Sequence, residues 1–151
     1  MARIDFYHLQ KQSLEEVLPK LLSKAYSTGN RILIKTSSSE HTEQINSFLW
    51  TFNDESFIPH GTRKDGFAEQ QPIWITADDE NANQADFLFL INGADIAAEQ
   101  AQSYARIFNI FDGNSETSLT LARQQWKKFK EKKFEVYYWQ QTSRGTWEQK
   151  A

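Results

Sequence analysis

The stretch "DFLFLING", Asp86–Gly93, decides the fold. Phe87 to Ile91 is continuous in its apolar residues and does not alternate with polar ones. A strand reads this way when both of its faces are covered, as in the sheets of α/β proteins. Upstream, "PIWITA" (Pro72–Ala77) is a second β-rich run, and downstream "RIFNIFDG" (Arg106–Gly113) is a third that ends in a turn. Helical patterns separate these runs. "DIAAEQAQSYA" is a short one, and a longer basic one extends from about Ser115 to Lys133. Nearer the N-terminus, "IDFYHL" (Ile4–Leu9) and "RILIKTS" (Arg31–Ser37) read as strands. Between them "SLEEVLPKLLSKAYSTG" carries a helical stripe of Leu14, Val17, Leu18, Leu21, Leu22 and Ala25. Ser13 and Glu16 have capping-box spacing at its start, and Gly29 can supply the left-handed stop. Pro19 lies inside the pattern and is expected to bend the helix or delay its start. "SEHTEQINSFLWTF" is another helix, with Ile45, Phe48, Leu49 and Phe52 as its apolar positions. At the end of the chain "EVYYWQQ" and "TWEQK" flank the turn "TSRG", which is too short for a crossover. Strands alternating with helices predict a three-layer α/β sheet, mostly parallel, with an antiparallel edge at the C-terminus. The chain of 151 residues is read as one domain, 1–151, without repeats or linkers.

Charge is unevenly distributed. The whole chain has a formal charge of −3, yet residues 1–120 hold 9 basic and 17 acidic side chains, whereas residues 121–151 hold 8 basic and 3 acidic. A basic segment on an acidic chain points to an acidic or polyanionic partner, and the overall acidity argues against a dedicated DNA-wrapping protein. Cysteine is absent, so neither a disulfide framework nor a thiolate metal site can form. No signal-length apolar region opens the chain and no run approaches a membrane span, so a soluble, cytoplasmic protein is expected, with no membrane contact.

Catalytic motifs are missing. No glycine-rich turn follows "IDFYHL" or "RILIKTS", and neither GxGxxG nor GxxxxGK[ST] occurs. The serines of "TSSSEHT" read as helix caps, the acids of "ADDENANQAD" as a surface loop, and the three histidines lack metal-pair spacing. No catalytic residue, metal or cofactor is expected.

Two surfaces draw attention. The first is "FLWTFNDESFIPHG" (Phe48–Gly61), where aromatic residues exceed what one helix face can bury, since neighbours on a helix point ~100° apart. Such an excess suits a protein–protein anchor. The second is "ARQQWKKFKEKKF" (Ala122–Phe134). Arg123, Trp126, Lys127 and Lys130 share one helical face, and Leu119, Ala122, Trp126 and Phe129 form an overlapping apolar stripe. Trp126 therefore stands on the border, flanked by cations. That combination suits a peptide ending in an apolar residue and a carboxylate, or a nucleic acid whose bases stack while its phosphates pair.

A set of short motifs runs in order along the chain: "FY-L" at Phe6–Leu9, "G-R-LI" at Gly29–Ile34, "LW" at Leu49–Trp50, "SF-PH" at Ser56–His60, "AR---K" at Ala122–Lys127 and "TW" at Thr146–Trp147. Together they give a resemblance to the chi subunit family of the bacterial DNA polymerase III holoenzyme. It implies a Rossmann-like fold without a nucleotide-binding motif and a non-catalytic adaptor role in DNA replication, within the clamp-loader assembly. It further implies two partners, the psi subunit and the acidic C-terminal tail of single-stranded-DNA-binding protein, with DNA engaged only indirectly. Arg123 and Lys127 match the family's basic tail-binding positions, and Trp126 stands where a tyrosine is usual. Leu119 replaces a lysine that can stand there, for which Lys128 or Lys130 would compensate. Trp50 and Phe57 match aromatic positions of the psi-facing surface.

Overall fold

The structure is a computed structural model. It describes residues 3–51 and 60–151, with Trp50 and Thr51 described only as part of a helix. Seven strands among these residues form one sheet: β1 (Arg3–Leu9), β2 (Ile32–Lys35), β3 (Ile73–Thr76), β4 (Phe87–Leu90), β5 (Arg106–Asp112), β6 (Glu135–Gln141) and β7 (Trp147–Gln149). Their order is β3-β2-β4-β5-β1-β6-β7. Every pairing is parallel except the last, in which β7 runs antiparallel to β6. The helices are α1 (Leu14–Tyr26), α2 (Ser39–Thr51), α3 (Ala98–Ala101) and α4 (Glu116–Glu131).

Alternation along each strand sorts the core into two halves. Ile4 and Phe6 of β1, Leu33 of β2, Leu88 and Leu90 of β4 and Ile107 of β5 pack with α3 and α4. Tyr7 and Leu9, Ile32 and Ile34, Phe89 and Ile91, and Phe108 and Ile110 pack with α1 and α2. The sheet is thus the middle of three layers, and the unbroken run around β4 feeds both cores. Asp5, fully buried on β1, ties three strands together. It accepts hydrogen bonds from Arg3, from Arg106 Nε at 3.0 Å and from the Trp139 indole N–H at 3.0 Å.

Helix α1 begins where the capping box puts it. Glu16 N–H donates to Ser13 Oγ at 3.3 Å, and Ser13 N–H donates to Glu16 Oε1 at 3.2 Å. Pro19 does not delay the start: the helix runs through it and buries it beside Val17, Leu18 and Leu22. The reciprocal caps fix the first turn ahead of the proline, whose missing N–H costs a single later bond.

Helix α4 ends in a Schellman motif. Phe134 N–H reaches Phe129 O, Lys133 N–H reaches Lys130 O, both at 3.0 Å, and the rings of Phe129 and Phe134 meet edge to face at 5.2 Å. The left-handed position, usually glycine, is held by Lys133 at φ 65°. Lys133→Gly should therefore stabilise the fold by about 1 kcal/mol, read as a higher urea midpoint. An unchanged midpoint would mean that the lysine side chain offsets its backbone strain.

Candidate functional site

Helix α4 is seated by Ala122, Gln125 and Phe129, all buried. Gln125 is the polar member of that stripe. Its Oε1 accepts from Asn109 Nδ2 at 2.7 Å, and its Nε2 donates to Ala94 O at 3.0 Å and Asp95 Oδ1 at 3.1 Å. A buried amide satisfied on both ends fixes the helix in register as apolar contacts alone would not. Its position three residues after Ala122 and four before Phe129 was a readable sign of burial. Asp95 is half-desolvated, which works against its charge. The Lys128 ammonium and hydrogen bonds from Ile96 N–H and Gln125 nevertheless hold its carboxyl below the usual range.

The outer face carries the charges. Arg123, Lys127 and Lys130 are exposed, and Trp126 between them is half-buried. The Trp126 ring stands edge-on to Phe6 at 5.5 Å and to Tyr138 at 5.6 Å. Lys130 Nζ lies 5.4 Å from the Trp126 ring centroid, within cation–π range. The four residues predicted from spacing do form one cationic face around a half-presented indole. Leu119 packs against the core beneath them. Lys128 does not join this face as a free charge. It is bound to Asp95 Oδ1 and to Ile96 O, both at 2.8 Å, because its position turns it toward the β4–α3 connection.

Beneath Trp126 lies a pair that sequence reasoning missed. His8 Nδ1 and Tyr138 Oη are 2.6 Å apart. His8 is buried, its ring 5.2 Å from that of Phe111. Gly113 closes over it: a Cβ there would come within 1.9 Å of the imidazole and 2.5 Å of Leu9 O. Burial, and then the nearby Arg123 charge, push the His8 pKa below its ordinary value, against a smaller pull from Asp112. Burial likewise raises Tyr138, with Arg123 opposing. A histidine kept neutral in the folded state destabilises it once the unfolded chain binds the proton, so stability should fall as pH drops below about 6.5. Urea midpoints at pH 7.5 and pH 5.5 should therefore differ more in the parent chain than in His8→Gln. Equal differences would remove His8 from this account.

The place where such a sheet usually takes ligands is different. At the carboxyl ends of β1, β4 and β5 a cavity of about 520 Å³ opens, lined by Gln12, Glu15, Asn92, Asn109, Asp112 and Gln125 among others. None of Arg123, Trp126, Lys127 or Lys130 lines it. The backbone N–H groups of Gln10, Lys11 and Gln12, after β1, converge as a phosphate-binding loop would, but they already have an acceptor. Gln141 Oε1 takes all three, at 3.2, 2.9 and 2.9 Å, while its Nε2 donates to Gln12 Oε1 at 2.8 Å. Glu15 and Glu16 add negative charge at the same helix N-terminus.

The serines before α2 act as caps, with His41 N–H donating to Ser38 Oγ at 3.2 Å. In the acidic loop, Asp79 pairs with the buried Lys35. Among the described residues no group of three or more acidic or histidine side chains could hold a metal, and no helix is long and apolar enough to cross a membrane. Phe57 and the side chain of Trp50 lie outside what the structure describes.

Comparison with known proteins adds a family. The model of the family described as "DNA polymerase III chi subunit, HolC" matches residues 1–137. A protein of Rickettsia prowazekii (strain Madrid E) named "Probable DNA polymerase III subunit chi" is 32% identical over 109 residues, covering 72% of this chain and 66% of that protein. The "DNA polymerase III subunit chi" of Pseudomonas aeruginosa PAO1 is 24% identical over 91 residues, covering 58% of this chain and 63% of its own length. The matched part of the chain thus spans just under two thirds of each relative.

Proposed function

We propose, from the premise that this chain belongs to the DNA polymerase III chi-subunit family, that it is a non-catalytic adaptor of the replication machinery. In this reading the α4 face binds the acidic C-terminal tail of single-stranded-DNA-binding protein, and the surface containing Trp50 and Phe57 binds the psi subunit. The observation that carries the first half is the cationic face itself: Arg123, Lys127 and Lys130 exposed around a half-buried Trp126. Guanidinium and ammonium groups pair with carboxylates, and the indole offers an apolar wall to the residue that bears the terminal one. The carboxyl-end crevice supports the absence of catalysis, because Gln141 occupies the N–H groups that would hold a phosphate. The psi half rests on family membership and on the aromatic excess of residues 48–61.

Isothermal titration tests the reading. The chain should bind a short acidic peptide that ends in an apolar residue with a free carboxylate. Binding should weaken as salt rises, since rim charges are screened over about 8 Å at physiological ionic strength. A naked single-stranded oligonucleotide should bind less well than the peptide, because the chain is net negative. Tighter binding to the oligonucleotide would make α4 a nucleic-acid surface instead. Retention of psi by the parent chain, and its loss in Phe57→Ala with an unchanged melt, is the corresponding expectation for the other surface.

A further inference from the structure

We propose that Tyr138 is a further ligand-binding residue of the α4 face: its hydroxyl, held by His8, donates a hydrogen bond to the C-terminal carboxylate of the acidic peptide beside Arg123. This rests on the peptide-binding reading above and goes beyond the four residues of α4.

The argument begins at the imidazole. Among the described residues His8 Nε2 is buried without a hydrogen-bond partner. Gly113 packs so closely on that side of the ring that even a Cβ would overlap it. A neutral imidazole carries one proton, on either nitrogen. Placed on Nε2, it would leave a buried donor without an acceptor, which is the rarer and costlier arrangement. Placed on Nδ1, it leaves Nε2 as a bare lone pair and is donated across 2.6 Å to Tyr138 Oη. The hydroxyl then accepts from His8, and its own proton must point elsewhere.

The surroundings say where. Tyr138 is half-buried on β6, its ring edge-on to Trp126 at 5.6 Å and to Phe111 at 6.0 Å. Its hydroxyl has no second hydrogen bond among the described residues. The charge that acts on it is that of Arg123. A proton donor at the edge of an indole, and within the electrostatic reach of the Arg123 guanidinium, is matched by an anionic acceptor attached to an apolar group. The terminal carboxylate of a peptide whose last side chain packs on Trp126 has that composition. Phenol-to-carboxylate hydrogen bonds are charge-assisted and short, so this contact discriminates a free terminus from a blocked one.

The test is a titration of the full chain and of Tyr138→Phe with two peptides, one with a free C-terminal carboxylate and the same sequence amidated. The substitution keeps the ring on Trp126, and thermal melts of the two chains verify that both are folded. The parent chain should prefer the free acid, and Tyr138→Phe should lose roughly tenfold or more for the free acid with little change for the amide. A structural role alone would weaken both peptides equally, and that result overturns the proposal. So does unchanged affinity of Tyr138→Phe for the free acid. A parent chain that binds neither peptide defeats the peptide-binding reading itself, and the proposal with it.

Discussion

Phe129→Ala should cost about 3–5 kcal/mol of folding stability, the usual price of emptying a fully buried phenylalanine site. The side chain has no exposed surface and meets the Phe134 ring edge to face across the turn that ends α4. Loss of the ring removes apolar contact, leaves a cavity and dissolves the apolar half of the Schellman closure. A domain of this size holds on the order of 5–15 kcal/mol in all, so the variant should unfold at a much lower urea concentration. Tryptophan fluorescence against urea measures it, because Trp126 rides on the same helix. A loss below about 1 kcal/mol would mean that α4 is not anchored by this residue.

The double reversal Arg123→Glu with Lys127→Glu should abolish a modest affinity for the acidic peptide. Each charge-assisted bond is worth roughly 1.5–3 kcal/mol when partly desolvated, so two lost together amount to roughly two to four decades in Kd if they add. Repulsion deepens the loss. Both side chains are exposed in the free chain, and the melt should move by no more than about ±0.5 kcal/mol. Trp126→Ala should weaken binding through lost apolar contact while leaving its salt dependence nearly intact. Wild-type affinity in the double variant would mean that the peptide does not sit on this face.

Much of this architecture was legible because it is local. The continuous run of β4 announced a sheet covered on both sides, Ser13 and Glu16 announced the start of α1, and the spacing of Arg123, Trp126, Lys127 and Lys130 announced one face of a helix. Other features were illegible because they depend on which strand lies beside which. Phe6 pairs with Tyr138 and His8 with Gln140 across the parallel β1–β6 ladder, which sets the His8 imidazole against a phenol 130 positions away in sequence. Periodicity gives the side of a strand on which a residue falls and says nothing of its neighbour. Gln141 was hidden for the same reason: its three donors lie in a loop reached only through that register. The tie of Lys128 was illegible in the same way, because the Asp95 that holds it belongs to another segment of the chain.

The strand order also sets a timetable. β1 is made first, yet its two neighbours in the sheet come late, Arg3 pairing with Arg106 and Ile4 with Val136. Chains whose contacts span most of their length fold slowly, and here the wait is built into synthesis, which proceeds at about 5–20 residues per second. Until β6 has left the ribosome, the apolar side chains of Ile4, Phe6, Tyr7 and Leu9 have no complete place to go. A nascent chain stalled before residue 135 would present them as an unpaired edge, the kind of surface that chaperones bind and that aggregates recruit.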